Sequence, residues 1–277
     1  MSIARTSLLL AAALATTQAR AAAQIQLETT IGKPSIYCTD PGNPDNCALP
    51  PSGQNILQVE PGEEVLVGFS VRNTGDIALT SHSLVDSDLG FLLNNFPYTL
   101  PPGASAFLTQ RFAAPLAIGL DTRSATWTGT AAGGVAAADA DVYGIDVLAP
   151  QFTLEATVAP ATSVCSNPAD ISTCTLPIAN TIAFVPGQKV VVGYEVRNTG
   201  TYTLPTHTLV DSAIGTVLNH LPYALLPGAG AFLVQFDTPA APATRSATWT
   251  VTTTHGVDAS RVATYTISNL LFVDGFE

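Results

Sequence analysis

One stretch of this chain is written twice, and that duplication limits the possible folds more than any other feature. VGFSVRNTGDIALTSHSLVDSDLG at Val67–Gly90 returns as VGYEVRNTGTYTLPTHTLVDSAIG at Val192–Gly215, 125 positions later. Pairing residues 61–110 with 186–235 needs no gap and gives 29 identities in 50 positions. The match resumes after a three-residue deletion, from Thr122-Arg-Ser-Ala-Thr-Trp-Thr128 to Thr244-Arg-Ser-Ala-Thr-Trp-Thr250. A fixed internal period means that one structural unit is repeated. We therefore expect two tandem units, repeat 1 over residues 24–148 and repeat 2 over 149–268, with a C-terminal tail over 269–277.

Within each unit the hydrophobic period is two. Val65, Val67, Phe69 and Val71 fall on one face of a strand, as do Val190, Val192, Tyr194 and Val196, which marks a strand with one buried side. Asn73-Thr-Gly75 and Asn198-Thr-Gly200 follow as turns, where Gly tolerates positive φ and Asn bonds its own backbone. Pro61-Gly62, Pro102-Gly103, Pro186-Gly187 and Pro227-Gly228 punctuate further boundaries. Trp127 and Trp249 share a strand face with a small Ala neighbour while Ser and Thr point away, so both read as core anchors. Turn signals at this spacing predict about seven strands per unit, and hence an all-β chain of two immunoglobulin-like β-sandwiches. Leu148-Ala-Pro-Gln151 joins the units as a short proline-containing connection with limited swing.

Residues 1–23 read as a signal peptide: Arg5 is the basic start, Leu8–Ala15 the apolar run, and Ala21-x-Ala23 the cleavage site, with Ala19 an alternative. Its removal takes Arg5 and Arg20 and no acid, moving the net charge from −11 to −13. A chain so acidic has no basic footprint for nucleic acid and is repelled by anionic lipid. No later apolar run reaches the ~18 residues that span a bilayer. The expected location is secreted or extracytoplasmic, in the periplasm or at the cell surface.

The four cysteines stand as Cys38-x8-Cys47 and Cys165-x8-Cys174, at matching places in both units. Even, repeated spacing in an exported chain implies disulfides. Three connectivities are open, and the duplication favours Cys38–Cys47 and Cys165–Cys174. Zinc is disfavoured, because the spacing is wrong and no His lies near. Each bridge is expected to pin a protruding loop that serves as a candidate contact surface.

The duplicated polar residues are the places to look for chemistry. His82 and Asp86 recur as His207 and Asp211 in matched H-x-L-V-D-S segments. A His/Asp pair suits metal or acid–base work, but no nucleophile elbow or H-E-x-x-H accompanies it. The plainer reading makes His82 a surface strand residue and Asp86 a turn cap. Asp86-Ser-Asp88-Leu-Gly90 opens like a calcium loop, yet Asp211-Ser-Ala-Ile-Gly215 lacks the middle carboxylate. Arg72, Arg197, Arg123 and Arg245 are explained by Arg–Asp bridges, with Asp86 and Asp211 as candidate partners, or by stacking on Trp. Residues that differ between copies, such as His220 against Asn95 and the stretch 131–141, are better places for a copy-specific role. Tyr37 is the only aromatic beside a cysteine. No metal, cofactor or catalytic residue is expected.

The pattern V-x-N-T-G-x-x-x-L…L-V-D…G…L-x-P-G stands at Val71–Gly75, Leu79, Asp86, Gly90 and Leu100–Gly103. It recurs at Val196–Gly200, Leu204, Asp211, Gly215 and Leu225–Gly228. It resembles the conserved-repeat domains of unknown function found in bacterial surface and secreted proteins, which are similar to CARDB adhesion modules. The resemblance covers about the middle half of each copy and implies an immunoglobulin-like fold with a structural or adhesive role. It brings no catalytic residues. The repeat positions it marks are Asn73, Gly75, Asp86, Asn198, Gly200 and Asp211, with Trp127 and Trp249 beside them. Phe272-Val-Asp-Gly-Phe-Glu277 looks like a short tail of some secreted proteobacterial proteins. The expectation is a non-catalytic exported module whose partner is a protein or glycan at the cell surface. A ligand-binding module using the disulfide loops is the alternative, ahead of an enzyme with an unrecognised site.

Overall fold

A computed structural model of the chain describes residues 21–40, 46–185 and 187–269. Residues 1–20 of the expected signal segment 1–23, and 270–277 of the expected tail 269–277, lie outside the described residues. The first half contains β1 (Ile25–Gly32), β2 (Ile56–Val59), β3 (Glu64–Asn73), β4 (Leu79–Asp86), β5 (Gly90–Leu100), β6 (Ser105–Ala113), β7 (Gly119–Ala131) and β8 (Ala136–Val147). The second contains β9 (Phe152–Pro160), β10 (Thr181–Phe184), β11 (Val190–Asn198), β12 (Leu204–Asp211), β13 (Gly215–Leu225), β14 (Gly230–Asp237), β15 (Ala243–Thr252) and β16 (Asp258–Asn269).

Each half is a sandwich of a three-stranded and a five-stranded sheet. The orders are β1-β3-β6 against β2-β8-β7-β4-β5, and β9-β11-β14 against β10-β16-β15-β12-β13. Relative to a constant-type immunoglobulin sandwich, β5 stays beside β4 instead of returning to the other sheet. Each half has one strand more than the seven expected. The extra is β2, or β10, a four-residue strand that runs parallel to β8, or β16. Four residues are too few to show a period.

The alternation holds where the core forms. Val65, Val67, Phe69 and Val71 are fully buried, as are Val190, Val192, Tyr194 and Val196. Trp127 and Trp249 sit in the two separate cores. Burying such side chains is worth ~1.5–3 kcal/mol each.

The N-T-G turns meet the expectation at Asn and depart from it at Gly: Asn73 Oδ1 accepts from the Gly75 N–H and Asn198 Oδ1 from the Gly200 N–H, both at 3.0 Å. Neither Gly75 nor Gly200 has a positive φ. Instead a Cβ at Gly75 would stand 2.3 Å from the Ala22 carbonyl oxygen, so Gly75 permits a close approach of the incoming chain. Thr74 and Gly75 donate their N–H groups to the Gln24 carbonyl, and Thr199 and Gly200 do the same to Gln151. Asn73 is buried, with Nδ2 donating to Ile77 O and Leu100 O at 2.8 and 2.9 Å. Asn198 repeats this with Tyr202 O and Leu225 O, both at 2.8 Å. The Pro-Gly turns do use positive φ, 73° at Gly62 and 76° at Gly228.

The halves meet at the joint. β8 ends at Val147 and β9 begins at Phe152, so the strands do not run through. The Tyr202 hydroxyl donates to Leu148 O at 2.9 Å, and the His255 ring packs against Gly62. In the first half Ile77 and Gly133 stand where the second has Tyr202 and His255. Among the described residues no helix is long and apolar enough to cross a membrane.

Candidate functional site

The residues that looked catalytic are joined inside each sandwich. His82 is 2% exposed and His207 1%, so neither is a surface residue. Both side chains point into the core from β4 and β12, the strands next to the β5 and β13 edges of the five-stranded sheets, on the face they share with Leu84 and Asp86, or with Leu209 and Asp211. Trp127 Nε1–H donates to His82 Nδ1 at 3.1 Å, and Trp249 Nε1–H to His207 Nδ1 at 3.0 Å. His207 Nε2–H donates to Leu204 O at 3.2 Å and Tyr223 O at 3.0 Å. The matching carbonyls of Leu79 and Tyr98 stand over His82 Nε2 with looser geometry. This pattern assigns the neutral Nε2–H tautomer, since an Nδ1 proton would oppose the indole donor. Burial lowers both imidazole pKa values, partly offset by the two carbonyls.

Asp86 does cap a turn, and more. Its Oδ1 accepts from the N–H groups of Asp88 and Leu89 at 2.9 and 3.0 Å, while Oδ2 accepts from the Tyr143 hydroxyl at 2.8 Å. Asp211 binds Ala213 N and Ile214 N at 2.7 and 3.0 Å, and its Oδ2 accepts from Tyr194 at 2.8 Å. The tyrosines come from different strands, β8 in the first half and β11 in the second. Phe69 occupies the place of Tyr194, and Tyr265 that of Tyr143. Burial, then the adjacent carboxylate, pushes Tyr143 and Tyr194 far above the ordinary phenol range. No His–Asp dyad exists: each member is spent on a separate aromatic partner.

The arginine pairing differs from the expectation. Arg123 Nε binds Asp121 at 2.8 Å and approaches Asp88 at 3.8 Å, with its guanidinium 4.6 Å from the Phe112 ring centroid. Arg245 pairs with Asp237. Asp86 and Asp211 are not their salt-bridge partners; the tyrosines take that place.

The disulfides are Cys38–Cys47 and Cys165–Cys174. The arms flanking these loops are packed down, while residues 166, 167, 169, 170 and 172 of the second loop are exposed as expected. Cys38 and Cys47 are each 8% exposed and pack with Leu66 on the outer face of the three-stranded sheet. Leu49 and Pro50 press onto Gly68, where a Cβ would lie 2.5 Å from Leu49 Cδ2. Leu176 and Pro177 do the same at Gly193, where the distance is 2.6 Å. The sequence signal was present: Cys-x-Leu-Pro follows both loops, with a lone Gly inside an otherwise Val-rich strand. Residues 41–45 at the first loop's tip lie outside the described structure.

The exposed aromatics gather elsewhere. Between the edge strands β5 and β6 lies an open cleft of about 580 Å3, floored by His82 and Trp127 and walled by Leu93, Phe96, Tyr98 and Phe107. Its counterpart between β13 and β14, about 320 Å3, has His207 and Trp249 below Leu221, Tyr223 and Phe232. Phe107 and Phe232 are 60% and 62% exposed. None of the lining residues is charged. Each cleft is bordered by a bulge at a non-glycine residue of positive φ, Asn95 at 48° and His220 at 49°. These paired positions, different in chemistry, therefore share one backbone role. The F-P-Y and L-P-Y triplets at 96–98 and 221–223 carried the signal, masked because neither strand shows a clean period of two.

Strand order and duplicated cores define a tandem immunoglobulin-like β-sandwich protein. No family model matches the chain, and no curated protein does. Among solved structures it is similar to the fibronectin(III)-like modules of Clostridium thermocellum CbhA, at 5% identity over 76% of this chain and 89% of that one, with a TM-score of 0.22. A protein of unknown function from Porphyromonas gingivalis W83 matches at 14% identity over 76% and 94%, with a TM-score of 0.24. Red sea bream transglutaminase matches at 12% identity and a TM-score of 0.30, over 76% of this chain, which spans 30% of the enzyme. The class rests on the strand order itself.

Proposed function

We propose that this chain is an exported, non-catalytic structural module. After loss of a signal segment over 1–23, two repeat units, 24–148 and 149–268, act as a spacer or adhesive element outside the cytoplasmic membrane. One observation carries the reading: the duplicated His and Asp residues are buried, and each is engaged by an aromatic or backbone partner in both copies. Reactive groups of an enzyme need access to substrate and mutual geometry, whereas these are consumed in joining strands. The disulfides suit an oxidising compartment.

Alanine at His82 or His207 tests the assignment. Each substitution leaves a buried indole N–H without an acceptor and is expected to cost about 1–3 kcal/mol in chemical unfolding. A specific, saturable hydrolytic turnover that these variants abolish without unfolding the chain would overturn it.

A second reading, a ligand-binding module, is favoured by the exposed rings of Phe96, Tyr98 and Phe107. It places a neutral ligand such as a glycan in the aromatic clefts rather than at the disulfide loops.

A further inference from the structure

β1 and β9 are edge strands of the two three-stranded sheets, and they keep one register. Leu27 and Thr29 stand opposite Val71 and Phe69, as Leu154 and Ala156 stand opposite Val196 and Tyr194. At these positions the backbone N–H points to the open side of the strand and needs an acceptor from elsewhere. The first half supplies one from β8: Asp139 accepts from the Leu27 N–H at 2.8 Å, and Asp141 from the Thr29 N–H at 2.7 Å. Two residues further on, the Ile31 N–H donates to Gln54 O at 2.8 Å. The second half keeps only this last bond, with the Val158 N–H donating to Ala179 O at 2.6 Å.

β16 carries Arg261 and Ala263 where β8 carries Asp139 and Asp141. Neither side chain can accept a hydrogen bond. The Leu154 and Ala156 N–H groups therefore lose their carboxylate partners, although Ala156 is only 4% exposed. In place of the carboxylates lies an open cavity of about 480 Å3 between β9 and β16, lined by Leu154, Ala156, Ala263, Thr264, Ile178 and Asn180. Arg261 adds a positive charge on the β9 side, its guanidinium 5.3 Å from the ring centroid of Phe152, two residues from Leu154. Glu155 is the one acid among the described lining residues. Its counterpart Glu28 coexists with Asp139 and Asp141, accepting instead from Ser52 and the Gly53 N–H.

From these observations we propose that the cavity binds an extended acidic peptide of a partner, whose carboxylates take the places that Asp139 and Asp141 hold in the first half. The duplication selects this ligand class: the same two backbone donors, in the same register, already hold carboxylates once in this chain. Side chains two residues apart on an extended strand share a face at a spacing of about 6.7 Å, which matches N–H groups two residues apart on β9. A charged acceptor also makes a stronger bond to such donors than a neutral one. The chain's net charge of −11 opposes an acidic ligand mainly at long range, because the Debye length at physiological salt is about 8 Å. The first half is filled by its own carboxylates, so the site belongs to the second half alone. It lies on the opposite side of the sandwich from the aromatic cleft between β13 and β14.

Amide NMR of the folded mature chain tests the site, with acetyl-Ala-Asp-Ala-Asp-Val-amide, the sequence of residues 138–142, as the probe. The Leu154 and Ala156 amide resonances are expected to shift saturably, while those of Leu27 and Thr29 stay in place. The same peptide with Asn at both Asp positions is expected to bind about tenfold more weakly or worse. Ala263→Asp, which restores the first half's residue at the cavity wall, is expected to abolish the shifts with an unchanged near-UV circular dichroism spectrum. Absence of any shift at Leu154 and Ala156 up to millimolar peptide overturns the proposal. So does an equal response to the Asn peptide, or full binding by a folded Ala263→Asp chain. The Asn comparison is made on the wild type and decides the matter even where Ala263→Asp fails to fold. The scaffold reading is unaffected by these failures, because it is tested by turnover and location.

Discussion

Each buried imidazole in this chain is held neutral by an indole that donates to it, and that arrangement has a pH signature. His82 and His207 have folded pKa values below imidazole's ordinary ~6.5, with burial the leading cause. The unfolded chain therefore binds more protons than the folded one between the depressed values and ~6.5, so stability rises with pH across that window. The contribution is complete above ~6.5 and falls away as pH drops toward the folded values. Denaturant midpoints measured from neutral to mildly acidic pH are expected to fall in this window, and less so in a His82→Gln/His207→Gln variant. An equal slope in both proteins would show that these imidazoles are not responsible. The period of two in the sequence puts His82, Leu84 and Asp86 on one strand face, where the structure has them. It did not show that this face is the core, because a period of two cannot tell inside from outside when polar residues occupy the inside. Trp127 and Trp249 were legible because a large ring flanked by outward Ser and Thr has only one place to go.

At the scale of elements, the main lesson concerns the disulfide loops. Each bridge closes a short loop and contributes about 2–3 kcal/mol on the chain-entropy model. Of the three connectivities open to four cysteines, the duplication favours the pairing observed. The packing of the loops was not legible, because it depends on Leu49 and Pro50 meeting Gly68 across the sheet. Gly68→Val is expected to push this arm away and cost about 1–3 kcal/mol by overpacking. Gly193→Val should do the same through Leu176 and Pro177. Thermal unfolding checks both, and a change below about 0.5 kcal/mol would mean that the arms are not pressed onto the sheet. The edge strands were the least legible elements. β5 interrupts its period with a bulge, and its exposed apolar side chains resemble core residues in a one-dimensional reading.

For the whole molecule, divergence between the copies marks where they meet. Tyr202 and His255 in the second half bind or cover the first, and their counterparts Ile77 and Gly133 lack the hydroxyl and the ring. Glu60, beside Glu63 and Lys33 in the same region, has a raised pKa from burial and from the Glu63 charge, opposed by Lys33 and His255. The joint is thus a built contact, which suits a spacer that holds two sandwiches in a set relation. The role of such a spacer depends on where it resides. The most direct measurement is fractionation of the native cells, with protease added to intact cells and non-reducing mass spectrometry of the recovered chain. The account requires the mature chain outside the cytoplasmic membrane, without residues 1–23 and with both disulfides formed. A full-length, reduced chain confined to the cytoplasm would contradict it.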